Sequence, residues 1–249
     1  MGWEVVTPSE EVHAADWIRE RVHGFAVDVG SVVPHGFDSY ARIFHPAWAP
    51  HMIEVRWSDV AASTGRTIHP EMQFHSIATP LAGHGTGHAS WYEPRNGTLS
   101  AGQVRALLPL LARHTSTPDR CLFCLWDGYG YFNPGAIASF RAAFEPEGDP
   151  PPPPPLPLPT QPKGRVRMPE RDYMLFTGSV AQAEGWLEGP NLWWPDDRAW
   201  CVASEIDLPY TYVAGSGPLI AEVLANPELE ALPATIRDGI RWDSDIVNS

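Results

Sequence analysis

Residues 101–127, AGQVRALLPLLARHTSTPDRCLFCLWD, set a helix pattern directly before a strand pattern, and their reading decides the fold class. Ser100 followed by Gln103 makes a capping box, and Val104, Leu107, Leu108 and Leu111 then recur at helical spacing. A helix is predicted over 101–114, bent or locally broken at Pro109, whose ring removes a backbone bond. The apolar run 121–127 that follows is bounded by Gly128 and reads as a strand. Further strands are predicted at 40–45, 53–57, 172–177 and 199–206. Further helices are predicted over 11–22, with Val12, Ala15, Ile18 and Val22 on one stripe, from Ser179 through 187, and from Ser216 to about 225, ahead of Asn226-Pro227. Strands and helices interleave without a β-α-β rhythm, so the expectation is an α+β fold: a mixed, mostly antiparallel sheet with a few packed helices.

The stretch 145–167, EPEGDPPPPPPLPLPTQPKGRVR, contains six consecutive prolines, Pro150 to Pro155. Proline lacks an amide donor and fixes φ, so this stretch is expected to be an exposed polyproline II loop or linker, most open to proteases over 148–162. It separates residues 1–144, which contain all ten histidines, from an acidic part, 168–249, which holds 14 acidic side chains against 4 basic. The two parts are expected to pack as a single domain interrupted by the loop.

Over all 249 residues, 17 basic face 30 acidic side chains, for a net charge of -13. Such a surface repels nucleic acid and anionic membranes, so the expected partner is a protein or small molecule that is neutral or cationic. The three cysteines make no disulfide framework and fit a reducing compartment. The N-terminal MGWEVVTPSEE carries acid where a signal peptide is basic, and no apolar run reaches the length of a membrane span. A cytoplasmic location is expected.

Two stretches are candidates for chemistry. Trp126, Asp127 and Tyr129 in LWDGYG, and Trp193, Trp194, Asp196 and Asp197 in NLWWPDDRAW, combine aromatic faces with carboxylates. That combination suits a cationic or planar ligand, or a partner with Arg or Lys anchors. Adjacent strands are expected to bring the two clusters together as one surface, with Arg198 neutralising an aspartate. The leading expectation is a binding protein with no cofactor. The alternative is a metal-dependent hydrolase holding Zn or Fe on His69, His75, His84 and His88, because imidazoles suit those metals. The spacing in HPEMQFHSIATPLAGHGTGH is not HExxH, and the glycines around His84 and His88 disfavour a helix there. Cys121 and Cys124 lie inside an apolar strand, where a separation of three puts them on opposite faces, and they read as core. Glu205 and Asp207 share one side of a strand exit and read as ordinary turn chemistry.

The segments 191–233, 113–130 (RHTSTPDRCLFCLWDGYG) and 69–75 (HPEMQFH) resemble a group of uncharacterised actinobacterial cytoplasmic proteins, over about half the chain. The resemblance implies that these segments form one recurring unit with 145–167 as a variable insertion. It carries no activity and no catalytic residue.

Overall fold

The computed structural model describes residues 6–80, 91–129, 161–186 and 189–249. His84, His88 and the prolines 150–155 lie outside the described residues. Within them, Thr7–Pro8 (β1), Ser39–Phe44 (β2), Ala47–Ala49 (β3), Ile53–Val55 (β4) and Cys121–Trp126 (β5) precede the Pro-rich stretch. Val166–Met168 (β6) begins inside 145–167, and Arg171–Gly178 (β7), Leu192–Pro195 (β8), Cys201–Ala203 (β9), Tyr210–Gly215 (β10) and Ala231–Ala234 (β11) follow. Val166 is buried and paired to β7, so the exposed loop expected over 145–167 does not extend to 167. A nine-stranded sheet runs in the order β1-β7-β5-β8-β9-β10-β2-β11, with β6 also paired to β7. Its pairings are antiparallel, as the α+β reading requires. Strands from both sides of 145–167 alternate in it, so no cut at that stretch divides the sheet without parting paired strands. β3 and β4 form a separate hairpin.

Both faces of the sheet are covered. Phe123, Leu125, Phe176, Trp193, Val202 and Val213 pack on one side against Ala101–Arg113 (α4) and Gly217–Ala225 (α5). Leu122, Cys124, Leu175, Trp194, Ala203 and Tyr212 pack on the other, with Asp16–Arg19 (α1), Trp57–Thr64 (α2) and Phe74–Ala78 (α3). The period of two therefore sorts side chains between two buried layers rather than between core and water, which is why the strands read as continuous apolar runs. The one charged residue inside β2, Arg42, is buried; its guanidinium lies 3.5 Å from the Tyr210 ring centre and donates to the carbonyls of Pro70 and Met72. Among the described residues, no helix is long and apolar enough to cross a membrane.

Local rules fix several boundaries. Ser100 Oγ accepts from the Gln103 amide at 3.3 Å while Gln103 Oε1 accepts from the Ser100 amide at 3.1 Å, the reciprocal box read from the sequence. α4 runs through Pro109, which sits on its solvent side, where the carbonyl left without a donor stays open to water. Ser216 caps α5, which ends before Asn226-Pro227 as expected. Elsewhere distant groups override local pattern. The strand predicted through Trp57 stops at Val55 because the Glu230 carboxylate accepts the amides of Trp57 and Ser58, both at 2.7 Å, and caps α2 there. The helix predicted over 11–22 is a 3-10 turn plus α1, since the His23 amide bonds to Gly30 O instead of continuing it. The segment after Ser179 is one 3-10 turn, Val180–Ala183, ended where Glu184 turns extended ahead of Gly185 at φ 88°.

Cys121, Cys124 and Cys201 are free and buried. Burial pushes the Cys121 thiol up to about 12, with Asp197 and Asp119 adding to it, and burial raises the other two as well. Ellman's reagent should therefore label no thiol in the native protein and all three in denaturant. Prompt labelling of one native thiol would show that the sheet opens locally.

Candidate functional site

The structure divides the aromatic-acidic residues picked out in the sequence. β5 and β8 are neighbours, but they run antiparallel, with Cys121 opposite Pro195 and Cys124 opposite Leu192. Asp196 and Asp197 thus follow β8 at one end of β5, while Trp126, Asp127 and Tyr129 stand at the other, about 17 Å of strand away. Trp193 and Trp194 are 2% and 1% exposed and point to opposite faces. Trp193 packs on Phe123 and Trp200 at ring distances of 5.9 and 5.3 Å, and Trp194 meets Trp17 at 6.1 Å. Both are core residues, so they present no surface. Asp196 pairs with Arg120 at 3.3 Å. Asp197 accepts from the Ser116 amide and hydroxyl and the Thr115 hydroxyl, which outweigh its partial burial and hold its carboxyl below the usual range. Arg198 neutralises neither aspartate; its guanidinium lies 5.4 Å from the Trp17 ring.

Trp126, Asp127 and Tyr129 do stay together. The Trp126 and Tyr129 rings meet edge to face at 5.3 Å, and Asp127 pairs with Arg165 at 2.9 Å. Trp126 in turn adjoins Arg171, at the start of β7, which organises a cleft on this face of the sheet. The Arg171 guanidinium lies 4.5 Å from the Phe25 ring centre and 5.9 Å from that of Trp126. Its Nη2 donates to Glu205 Oε1 at 2.9 Å and Asp207 Oδ2 at 2.7 Å, and its Nε donates to the same Glu205 oxygen at 3.1 Å. Guanidinium planes stack on rings while their edges reach carboxylates, so this one side chain satisfies both kinds of neighbour.

The cleft has a volume of about 350 Å³, and a recess of about 30 Å³, room for about one water molecule, shares Phe25, Ser31, Val32 and Glu205 with it. Leu208, Ile240, Arg241 and Trp242 form the outer wall. Trp242 is 73% exposed, the side chain of Asp207 also 73%, and that of Glu205 only 14%. Burial pushes the Glu205 carboxyl above the usual carboxylate range even though Arg171 pulls it down. Glu205 and Asp207 arrive here because β9 ends early: the Ser204 amide bonds Asn191 O at 2.6 Å, and the Leu208 amide turns back to Glu205 O at 3.0 Å. Gly24 and Ala26, both at positive φ, present Phe25 from its loop. The C-terminal wall is tied down by the Asp28–Gly239 bridge and by the Tyr210 hydroxyl, which donates to Ile240 O at 2.9 Å.

His69 donates to Asp245 at 2.6 Å, and the exposed His75 ring lies 6.2 Å from Trp242. Asp245 also accepts the amides of Gln73 and Asn248, so His69 serves to hold the C-terminal segment. No group of three His, Cys, Asp or Glu side chains among the described residues could hold a metal ion, and the other two histidines of the metal reading lie outside them.

Behind the cleft, Asn191 and a line of hydroxyls join the strand ends. His45 is fully buried; its Nδ1 faces Arg95 O at 2.6 Å and its Nε2 faces Thr211 Oγ1 at 2.8 Å, which meets Ser204 Oγ at 2.6 Å. A carbonyl only accepts, so Nδ1 carries the proton, Thr211 donates to Nε2, and Ser204 donates to Thr211. Burial lowers this imidazole from 6.5 to about 4, which keeps it neutral. Phe25, Arg171, Asn191 and Trp242 carry no sequence signal for a site; the Glu205/Asp207 spacing was the available clue. No family model, curated protein or solved structure matches the chain.

Proposed function

We propose that the protein is a binding protein whose acidic-aromatic cleft, lined by Phe25, Glu205, Asp207 and Trp242 beside Arg171, receives a cationic group: a guanidinium or amine of a small molecule or of a partner's side chain. Support comes from the way two carboxylates of the cleft already bind a cation from the adjoining recess. Arg171 is gripped by two ring faces and two carboxylates, and Asp207 and Trp242 extend the same pair of chemistries outward into open space. The net charge of -13 favours approach of such a ligand from solution.

Argininamide and citrullinamide share a shape and differ in charge. Calorimetric titration should show binding of argininamide and none of citrullinamide at the same concentration. D207N and W242A should each weaken argininamide by about tenfold, which is about 1.4 kcal/mol. Equal binding of the two amides, or unchanged affinity in both variants, would remove this function from the cleft.

A further inference from the structure

The opposite face of the sheet holds a cavity of about 410 Å³ between the β3–β4 hairpin, the first turn of α4 and the turn at 183–186. That volume lies in the range of small-molecule sites. Its walls are two half-buried indoles, Trp48 on the hairpin and Trp186 on the turn. Trp186 is fixed before any ligand arrives: its Nε1 donates to Gln182 O at 2.7 Å, and its ring lies 5.8 Å from Phe123 and 5.6 Å from Phe176. Trp48 is held through its backbone, whose amide and carbonyl both pair with Tyr92, at 3.1 and 2.7 Å. Rigid aromatic walls lose little entropy when a flat ring enters between them.

The floor is Leu99, Val104 and His45. Both nitrogens of His45 are engaged, one with Arg95 O and one with Thr211. The imidazole is therefore satisfied within the fold and gives the cavity no free donor or acceptor. The charged lining residues are Glu54, Glu184 and Arg95, while the Thr98 hydroxyl is turned to the Leu99 carbonyl at 3.4 Å and Ser100 Oγ is taken up by the Gln103 amide. Glu184 reaches Arg105 at 3.4 Å across exposed surface, a weak tie that leaves its carboxylate available to a second cation.

We infer that this cavity is a second binding site, separate from the Arg171 cleft, for a bicyclic aromatic amine: a flat apolar ring between Trp48 and Trp186, with its positive end at Glu54 and Glu184. Tryptamine, indole and indole-3-acetate carry the same ring with positive, neutral and negative ends, and serve as probes. Calorimetry should rank tryptamine first, indole at least fivefold weaker, and indole-3-acetate weakest. A101W, placed at an exposed helix position on the cavity, and V104F, on its floor, should each cut tryptamine affinity at least tenfold. The E54Q/E184Q double variant keeps the cavity open and should bring tryptamine and indole to within twofold of each other. D207N should leave untouched the part of tryptamine binding that A101W removes, and A101W should leave argininamide untouched, so each site fails or stands independently. The inference is overturned if tryptamine does not bind at millimolar concentration, if A101W and V104F both bind it as the parent does, or if the double variant keeps the full preference for the amine.

Discussion

Asn191→Ala is expected to cost about 3 kcal/mol of folding stability, among the largest effects of any single polar side chain here. Asn191 is 2% exposed. Its Oδ1 accepts the Trp126 amide at 2.9 Å, and its Nδ2 reaches Tyr129 Oη at 2.9 Å and the carbonyls of Gly97 and Ser204, both at 3.3 Å. Alanine leaves one buried amide and several acceptors without partners, and each orphan costs about 1–3 kcal/mol unless water enters. Asn191→Asp should be worse, because a carboxylate keeps the bond from Trp126 but turns a negative oxygen toward two carbonyls. Urea unfolding of the two variants checks both the size and the order. A loss below 1 kcal/mol for Asn191→Ala would mean that water replaces the amide. The damage should also reach the cleft, since Trp126 is one of the two rings against Arg171.

Acidification should weaken the fold through His45. An unfolded chain takes up a proton on this imidazole near pH 6.5, whereas burial delays uptake in the folded protein to about 4. Between those values the unfolded state binds the extra proton, so stability is complete above pH 6.5 and falls as pH drops toward 4. The loss over the whole window comes to about 3 kcal/mol, flattening below pH 4. His45→Gln removes the titrating group, and its unfolding free energy should run level through the part of the window that the imidazole controls. The same slope in parent and variant would assign the acid sensitivity to other groups.

The sequence carried those parts of this fold that short-range chemistry dictates. The Ser100–Gln103 box, the Ser216 cap and the stop before Pro227 are contained in four-residue windows, and the apolar run at 121–127 was long enough to identify. Burial on both faces removed the alternation that would have marked β8 and β10, and no strand was predicted over either. Antiparallel register, a long-range property, decided which aromatics could meet; adjacency of β5 and β8 was not enough. The start of α2 at Trp57 was illegible for a similar reason, because its cap, Glu230, arrives from 173 residues away. For the cleft, only Glu205 and Asp207 left a pattern in the chain, and the residue that binds them, Arg171, comes from a different strand.

Both neighbours of β2 in the sheet, β10 and β11, come from near the end of the chain, and the hydrogen bond from Thr211 to His45 beside it spans 166 residues. On a ribosome moving at 5–20 residues per second, β2 leaves the tunnel roughly 10–30 s before the strands that will flank it exist. For that time β2 has neither of its native strand partners, and Arg42, one charge in the middle of the run, keeps the unpaired strand from being a purely apolar edge. A residue stacked on tyrosine in the finished protein thus also serves the strand before its partners exist, and the β2 end of the sheet cannot close until residues 210–234 are made.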